Sequence, residues 1–282
     1  MQNLLIQYST IASRNTDPFR WQAAGYAVRS QKGRFVVYDG GFTADAEPLI
    51  SLLEAHSDGV PEVDLWIITH PHCDHYGAAL EVSSREDLRA RVKVNRVLFC
   101  LPPDSFAVEK QNIGNRDLPN VRAVAENLGV PAYHAAAGDC YFTDDVKTEV
   151  LLTCEDLTDP SDANECSMIT RVSAAGQTIL FLGDAYSLPC RQLAAKMGTA
   201  LKSDFCQLAH HALNGGAVAD GFPRIRGYAF RASQAQKRYP AQPVCDGDHA
   251  GGLSVDFRRG RPCGAPALRF YRLGAVIRTI FS

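Results

Sequence analysis

Between Thr69 and Gly77 the chain reads Thr-His-Pro-His-Cys-Asp-His-Tyr-Gly, which places His70, His72, His75 and Asp74 within six residues. Only eight histidines occur in 282 residues, so three in one short window is a concentration that a polar turn does not require. Imidazole is the commonest metal ligand, and a carboxylate beside several imidazoles suits zinc, iron or manganese. His-x-His on extended chain puts two imidazoles on one side, because side chains alternate with period two. His70 and His72 can therefore share one cation, while Asp74 and His75 face the same cavity after the turn. One zinc takes three protein ligands and a water, so four candidates in one loop favour two cations.

The window needs a strand before it, and Leu65-Trp66-Ile67-Ile68 has the length and apolar content of a buried one. Three further strand ends carry matching chemistry. Asp184 follows Thr178–Leu182 within Gly183-Asp184-Ala185; alone it reads as a turn, but beside a histidine loop it is a candidate bridge between two cations. His210 and His211 follow Phe205–Ala209, and since neighbours on a strand face opposite ways only one can point inward; His210 is the expected ligand. Asp39 follows Phe35–Tyr38, where an acid is better suited to accept the N–H of a ligand imidazole than to bind metal. Asn164 and Ser167 could contact substrate or a developing oxyanion, or equally cap a turn. Cys73 reads as incidental, His134 as an ordinary histidine, and His56 and His249 carry no signal.

The remaining pattern alternates strands and helices. Strands are expected at Leu4–Ser9, Gly25–Arg29, Arg34–Tyr38, Val92–Cys100, Val146–Leu152, Met168–Val172 and Thr178–Leu182. Helices are expected over Ala46–His56, Ala78–Arg91 and Asn120–Leu128. Such a series implies an α/β (α+β) fold with two mixed sheets covered by helices, a four-layer αββα sandwich. The sequence divides into a part that carries this pattern and the histidine loop, 1–219, and a Gly-, Pro- and Arg-rich segment, 220–282. That segment carries ten Arg and one Lys against four Asp, a net +7, leaving −9 for the rest. It is either a loop-rich end of the same domain, a basic surface for an anionic substrate, or an atypical tail, and its packing is expected to be weaker.

Composition narrows the function classes. A net charge of −2 and a pI near 6.4 call for neither a general nucleic-acid surface nor a membrane surface. No apolar run approaches the roughly 20 residues of a spanning helix. The first six residues lack the basic start and apolar core of a secretory signal, which makes the cytoplasm the expected location. Nine cysteines without a Cys-x-x-Cys pair read as buried or incidental thiols, not as a disulfide frame or a thiolate zinc site.

Taken together, Tyr-Asp-Gly-Gly at 38–41, the histidine string at 69–77, Gly-Asp-Ala at 183–185 and His-His at 210–211 resemble the metallo-β-lactamase-fold hydrolases, up to about Gly216. Asn164-Glu-Cys-Ser167 before a strand, Leu-Gly-Asp-Ala and the His-His strand end are most similar to the hydrolase domain of the bacterial competence DNA-uptake channel and its free-standing relatives. The resemblance implies two divalent cations, zinc foremost with manganese or iron as alternatives, and a metal-bridging hydroxide as nucleophile. Position by position it assigns His70 and His72 to the first cation and Asp74 and His75 to the second. Asp184 then bridges and His210 completes the second. Many members have another histidine as third ligand of the first cation; His134 lies in that interval without the usual glycines around it. The region after Ala219 also departs from the family's closing strands and helix.

These readings converge on a metal-dependent hydrolase in which Asp74 orients the attacking hydroxide or takes up its proton. A phosphodiester is the leading substrate, with a lactone, thioester or amide behind it. Nucleic acid stays open as a substrate without being indicated by charge. A di-iron oxidoreductase or a non-catalytic metal-binding protein would use the same ligands.

Overall fold

The computed structural model describes residues 2–8, 25–110, 112–212, 228–230, 269–273 and 276–280, the last three segments as backbone strands. The strands are β1 (Leu4–Tyr8), β2 (Gly25–Arg29), β3 (Phe35–Asp39), β4 (Glu62–Ile68), β5 (Lys93–Val94), β6 (Val97–Phe99), β7 (Ala132–His134), β8 (Cys140–Thr143), β9 (Val146–Leu152), β10 (Ile169–Ala174), β11 (Gln177–Phe181), β12 (Phe205–Gln207), β13 (Tyr228–Phe230), β14 (Arg269–Leu273) and β15 (Val276–Ile280). The helices are α1 (Ala46–Glu54), α2 (Cys73–Ser84), α3 (Glu86–Arg89), α4 (Phe106–Glu109), α5 (Asp117–Leu128) and α6 (Ser187–Met197). Among these, β14-β15-β1-β2-β3-β4-β6-β7 form one sheet, with β5 beside β4, and β13-β12-β11-β10-β9-β8 form the other.

Three apolar layers hold the sheets and helices together. Leu49, Leu53, Val82, Val121 and Val124 from the helices pack with Phe35, Val37, Trp66 and Ile68 on the outer face of the first sheet. Tyr38, Leu65, Ile67 and Leu98 meet Val150, Val172, Ile179 and Phe181 between the sheets. Leu180, Leu182 and Ile169 pack on Cys190 and Leu193 of α6 outside the second sheet. Helix, sheet, sheet, helix is thus the order of layers, as the alternating sequence pattern predicts.

Strand β4 departs from simple alternation. Phe35 pairs with Val63, whereas Val36 pairs with Leu65, so Asp64 is an extra residue forming a bulge. The bulge puts Val63 and Trp66 on the helix side and Leu65 and Ile67 between the sheets. The Asp64 carboxylate accepts hydrogen bonds from Thr143 Oγ1 at 2.7 Å, Arg96 Nη2 at 2.8 Å and Arg34 Nη1 at 3.2 Å, tying β4 to β8 of the opposite sheet. This anchor lies at the start of β4, and the histidine loop lies at its end.

Several boundaries differ from the sequence expectation. The helix after the histidine loop starts at Cys73, not Ala78, and stops at Ser84, where Arg85 turns extended before α3. Gly77 permits this early start, because a Cβ there would lie 2.8 Å from the Thr43 backbone nitrogen. The expected strand 92–100 is broken into β5 and β6, and β7, β8 and α6 carry too little apolar periodicity to be foreseen.

The C-terminal segment extends both sheets: β13 lies parallel to β12, and β15 pairs antiparallel with β1, with β14 at the edge beyond it. The expected weaker packing beyond Ala219 concerns Leu253 and Phe257, and the expected basic surface concerns Arg224, Arg226, Arg231, Arg258, Arg259 and Arg261. All of these lie outside the described residues, and of Phe270 and Ile277 only strand backbone is described. Among the described residues no helix is long and apolar enough to cross a membrane.

Candidate metal centre

Strands β3 and β4 run parallel, as do β11 and β12. The segments at their carboxyl ends carry Asp39, the His70 loop, Asp184 and the histidine pair, so four chain segments deliver polar groups to one edge of the sandwich. Ligands of open α/β sheets gather at such an edge.

The turns are fixed by short-range contacts. Thr69 donates its N–H to Asp39 Oδ1 at 2.9 Å, and its carbonyl accepts the N–H of Met168 at 2.8 Å from the other sheet. Gly183 has φ +56 and sits so close to Ser167 that a Cβ would lie 2.9 Å from its Oγ, so only glycine fits before Asp184. Ser167 Oγ in turn accepts the Asp184 N–H at 2.9 Å. Gln207, a buried amide at the end of apolar β12, accepts the N–H of Leu182 at 2.7 Å and donates to the Gly183 carbonyl at 3.0 Å. Sequence reasoning missed Gln207 and Thr69; a lone polar residue closing an apolar strand was the available signal.

Asp184 Oδ2 is the hub. It lies 3.1 Å from His211 Nε2, 3.2 Å from His75 Nε2 and 3.9 Å from His70 Nε2. Asp74 Oδ2 lies 3.2 Å from His211 Nε2 and 3.7 Å from His75 Nε2. Donor atoms of Asp74, His75, Asp184 and His211 all fall within 4.8 Å of one another. His70 Nε2 faces His72 Nδ1 at 3.0 Å, and its ring lies 4.1 Å from that of His75.

Hydrogen bonding outside the cluster assigns the ring protons. Asp39 Oδ2 lies 2.9 Å from His75 Nδ1, and a carboxylate accepts, so Nδ1 carries the proton. The Asn112 carbonyl likewise faces His72 Nε2, which must donate. Thr69 Oγ1 gives its own proton to Asp39 and so accepts from His70 Nδ1 at 3.2 Å. His70 Nε2 and His72 Nδ1 are thereby left as two lone pairs aimed at each other. His75 Nε2, His211 Nε2 and Asp184 Oδ1 are buried without hydrogen-bond partners. Convergent, unsatisfied nitrogen and oxygen donors are what a divalent cation site requires, and the donor set fits zinc, manganese or iron.

Electrostatics agree. Burial, with repulsion from His75 and His72, holds His70 well below the usual imidazole range, leaving it neutral and able to ligate. Burial opposes charge on His75 and His211, but Asp184, Asp39 and Asp74 outweigh it for the first, and Asp184 and Asp74 raise the second to about 9. Burial likewise works against the Asp184 carboxylate, yet His211 and His75 keep it well below the ordinary range. Without metal, imidazolium protons supply the positive charge that cations would replace.

The expectation for the histidine pair is corrected. His211, not His210, enters the cluster. Strand β12 ends at Gln207, and His210 and His211 both adopt left-handed backbone, φ 51 and 52, so strand alternation no longer applies. His210 instead packs its ring against Tyr186, with centroids 5.2 Å apart. Asn164 donates to the Tyr186 hydroxyl at 2.8 Å, and its N–H is taken by Asp162 within a turn. His134 lies outside this cluster and pairs with Glu155 at 2.9 Å. Cys73 is exposed at the start of α2.

The metallo-beta-lactamase superfamily model matches residues 19–224, and the chain belongs to that family. The two mixed sheets flanked by helices are its fold, and its members are mostly metal-dependent hydrolases. Among solved structures, the chain is similar to the metallo-beta-lactamase fold protein YhfI from Bacillus subtilis, at 10% identity, covering 74% of this chain and 71% of that one with TM-score 0.46. Zn(2+)-bound PqqB from Methylobacterium extorquens aligns at 12% identity over 73% and 72% of the two chains, TM-score 0.44. CmlA, a diiron beta-hydroxylase from Streptomyces venezuelae, aligns at 14% identity and TM-score 0.44; it covers 73% of this chain, which spans only 34% of CmlA. No curated protein matches the chain closely enough to count as a relative.

Proposed function

We propose that this chain is a metal-dependent hydrolase acting on phosphodiesters, with His70 and His72 holding one divalent cation, Asp74, His75 and His211 the other, and Asp184 between them. The observation that carries the reading is the reach of Asp184 Oδ2 to both sets of imidazoles, 3.9 Å from His70 Nε2 and 3.1 Å from His211 Nε2. A pair of cations so held supplies Lewis acidity at both the attacking and the leaving oxygen of an in-line displacement and acidifies water at the site. The resemblance to competence-type hydrolases supports the same substrate class.

The chain's own groups divide the remaining work. Asp74 keeps 13% of its side chain exposed, unlike His70, His75 and Asp184. It is therefore placed to orient water entering from solvent and to take up its proton. Asp39 fixes the His75 ring through Nδ1. Ser167 and Gln207 hold the turn that aims Asp184.

The test is metal content of the purified protein together with turnover of bis(p-nitrophenyl) phosphate, a lactone and a thioester after loading with zinc or manganese. Phosphodiester turnover abolished by chelation and by Asp184→Asn supports the reading. Turnover of the lactone or thioester alone would move the substrate to a carbonyl. Two irons with no hydrolysis would overturn hydrolysis itself.

A further inference from the structure

A second group of ligand-type side chains shares no residue with the centre around Asp184. Cys100 directly follows β6, His134 ends β7, and Glu155 lies in the 3-10 turn Cys154–Asp156 after β9. Phe99 pairs with His134 in the parallel β6–β7 ladder, which brings Cys100 beside the imidazole. Cys100 Sγ lies 3.5 Å from His134 Nε2, and Glu155 Oε1 lies 2.9 Å from the same nitrogen. All three donor atoms fall within 4.8 Å of one another.

The shared nitrogen decides what this arrangement can do. A thiol–imidazole–carboxylate relay needs the two ring nitrogens separately, one toward the thiol and one toward the acid. Here both partners address Nε2, which offers either one proton or one lone pair. A cation coordinated by sulfur, nitrogen and oxygen satisfies all three at once. Cys100 is buried and backed by Cys154 Sγ at 3.3 Å, while His134 and Glu155 are exposed, so a metal can enter from solvent and keep a water as fourth ligand.

We propose that Cys100, His134 and Glu155 form a second metal site, selective for a borderline-soft divalent cation such as zinc. Binding forms a sulfur–metal bond at Cys100 and releases the thiol proton to solvent, with no change of oxidation state. The ligands come from both sheets, so the cation clamps the β6–β7 end of the first sheet to the loop leaving β9. The cysteine spacing concealed this, since no two of the ligands lie in one short motif.

The experiment is titration of the chelator-stripped full chain with cobalt(II) chloride, followed in the near ultraviolet. Thiolate ligation gives an intense sulfur-to-cobalt charge-transfer band, whereas the Asp184 centre offers only nitrogen and oxygen donors. The band is expected in the wild type and in Cys73→Ser, and absent in Cys100→Ser. His134→Ala and Glu155→Ala replace exposed groups and leave the buried packing intact; each should require roughly tenfold more cobalt to develop the band. No band in the wild type would overturn the site, and so would a band that survives Cys100→Ser. So would unchanged cobalt titrations in both His134→Ala and Glu155→Ala, which keeps the test decisive even if Cys100→Ser fails to fold.

Discussion

Asp184 Oδ2 and His211 Nε2 lie 3.1 Å apart, although the imidazole nitrogen is left without a hydrogen-bond partner. One residue follows β11 and the other follows β12, and Gln207 locks the two turns together by bonding to Leu182 and Gly183. Both are buried, and their ligand atoms lie within 4.8 Å of those of Asp74 and His75. Asp184→Asn keeps the shape and removes the charge; it should lower bound metal by at least one equivalent relative to the wild type and cut turnover about a hundredfold or more, read by elemental analysis and phosphodiester assay.

His210 and His211 should separate cleanly. His211→Ala is expected to weaken zinc binding about tenfold or more, because it removes a donor from the Asp74–His75–Asp184 group. His210→Ala leaves every donor in place and should titrate zinc like the wild type. Equal loss in both variants, measured by competition with a chromogenic chelator, would contradict the observed geometry.

Asp74 should matter more for rate than for folding. Asp74→Ala is expected to depress turnover about a hundredfold while the melting temperature stays within a few degrees, since the side chain is polar and reaches solvent. Turnover near the wild-type value in a folded variant would remove Asp74 from proton transfer.

Asp39 is not one of the converging donors, yet it fixes His75 Nδ1 and Thr69 together. Asp39→Asn should therefore weaken metal affinity by about ten- to a hundredfold without changing the number of ions bound at saturation. Saturation at one fewer ion would make Asp39 a ligand.

At the other end of β4, burial opposes ionisation of Asp64, but hydrogen bonds from Thr143, Asn95 and Arg96 hold its carboxyl below the ordinary range. A depressed folded-state value contributes stability above the unfolded value of about 3.9, and that contribution is lost as pH falls through the folded value. Asp64→Ala should cost about 2–3 kcal/mol at neutral pH, since it strands Arg96 and Thr143. In thermal melts between about pH 6 and 2 the variant should show a shallower acid decline than the wild type.

The sequence by itself determined the layers and most of the candidate ligands. Apolar runs such as Leu65–Ile68 and Thr178–Leu182, bounded by turn residues, read as buried strands, and His70, His72, Asp74 and His75 stay near one another because six residues carry all four. Spacing within one segment is a local property, and local properties are written in order along the chain. Which of His210 and His211 enters the cluster was decided by a left-handed backbone after β12, stabilised by contacts with Gly183 from another strand. The bulge at Asp64, the clamp of Gln207 and the meeting of Cys100, His134 and Glu155 likewise depend on strands distant in sequence. Those pairings exist only once the two sheets have closed on each other, because the partners that select each conformation lie on separate elements.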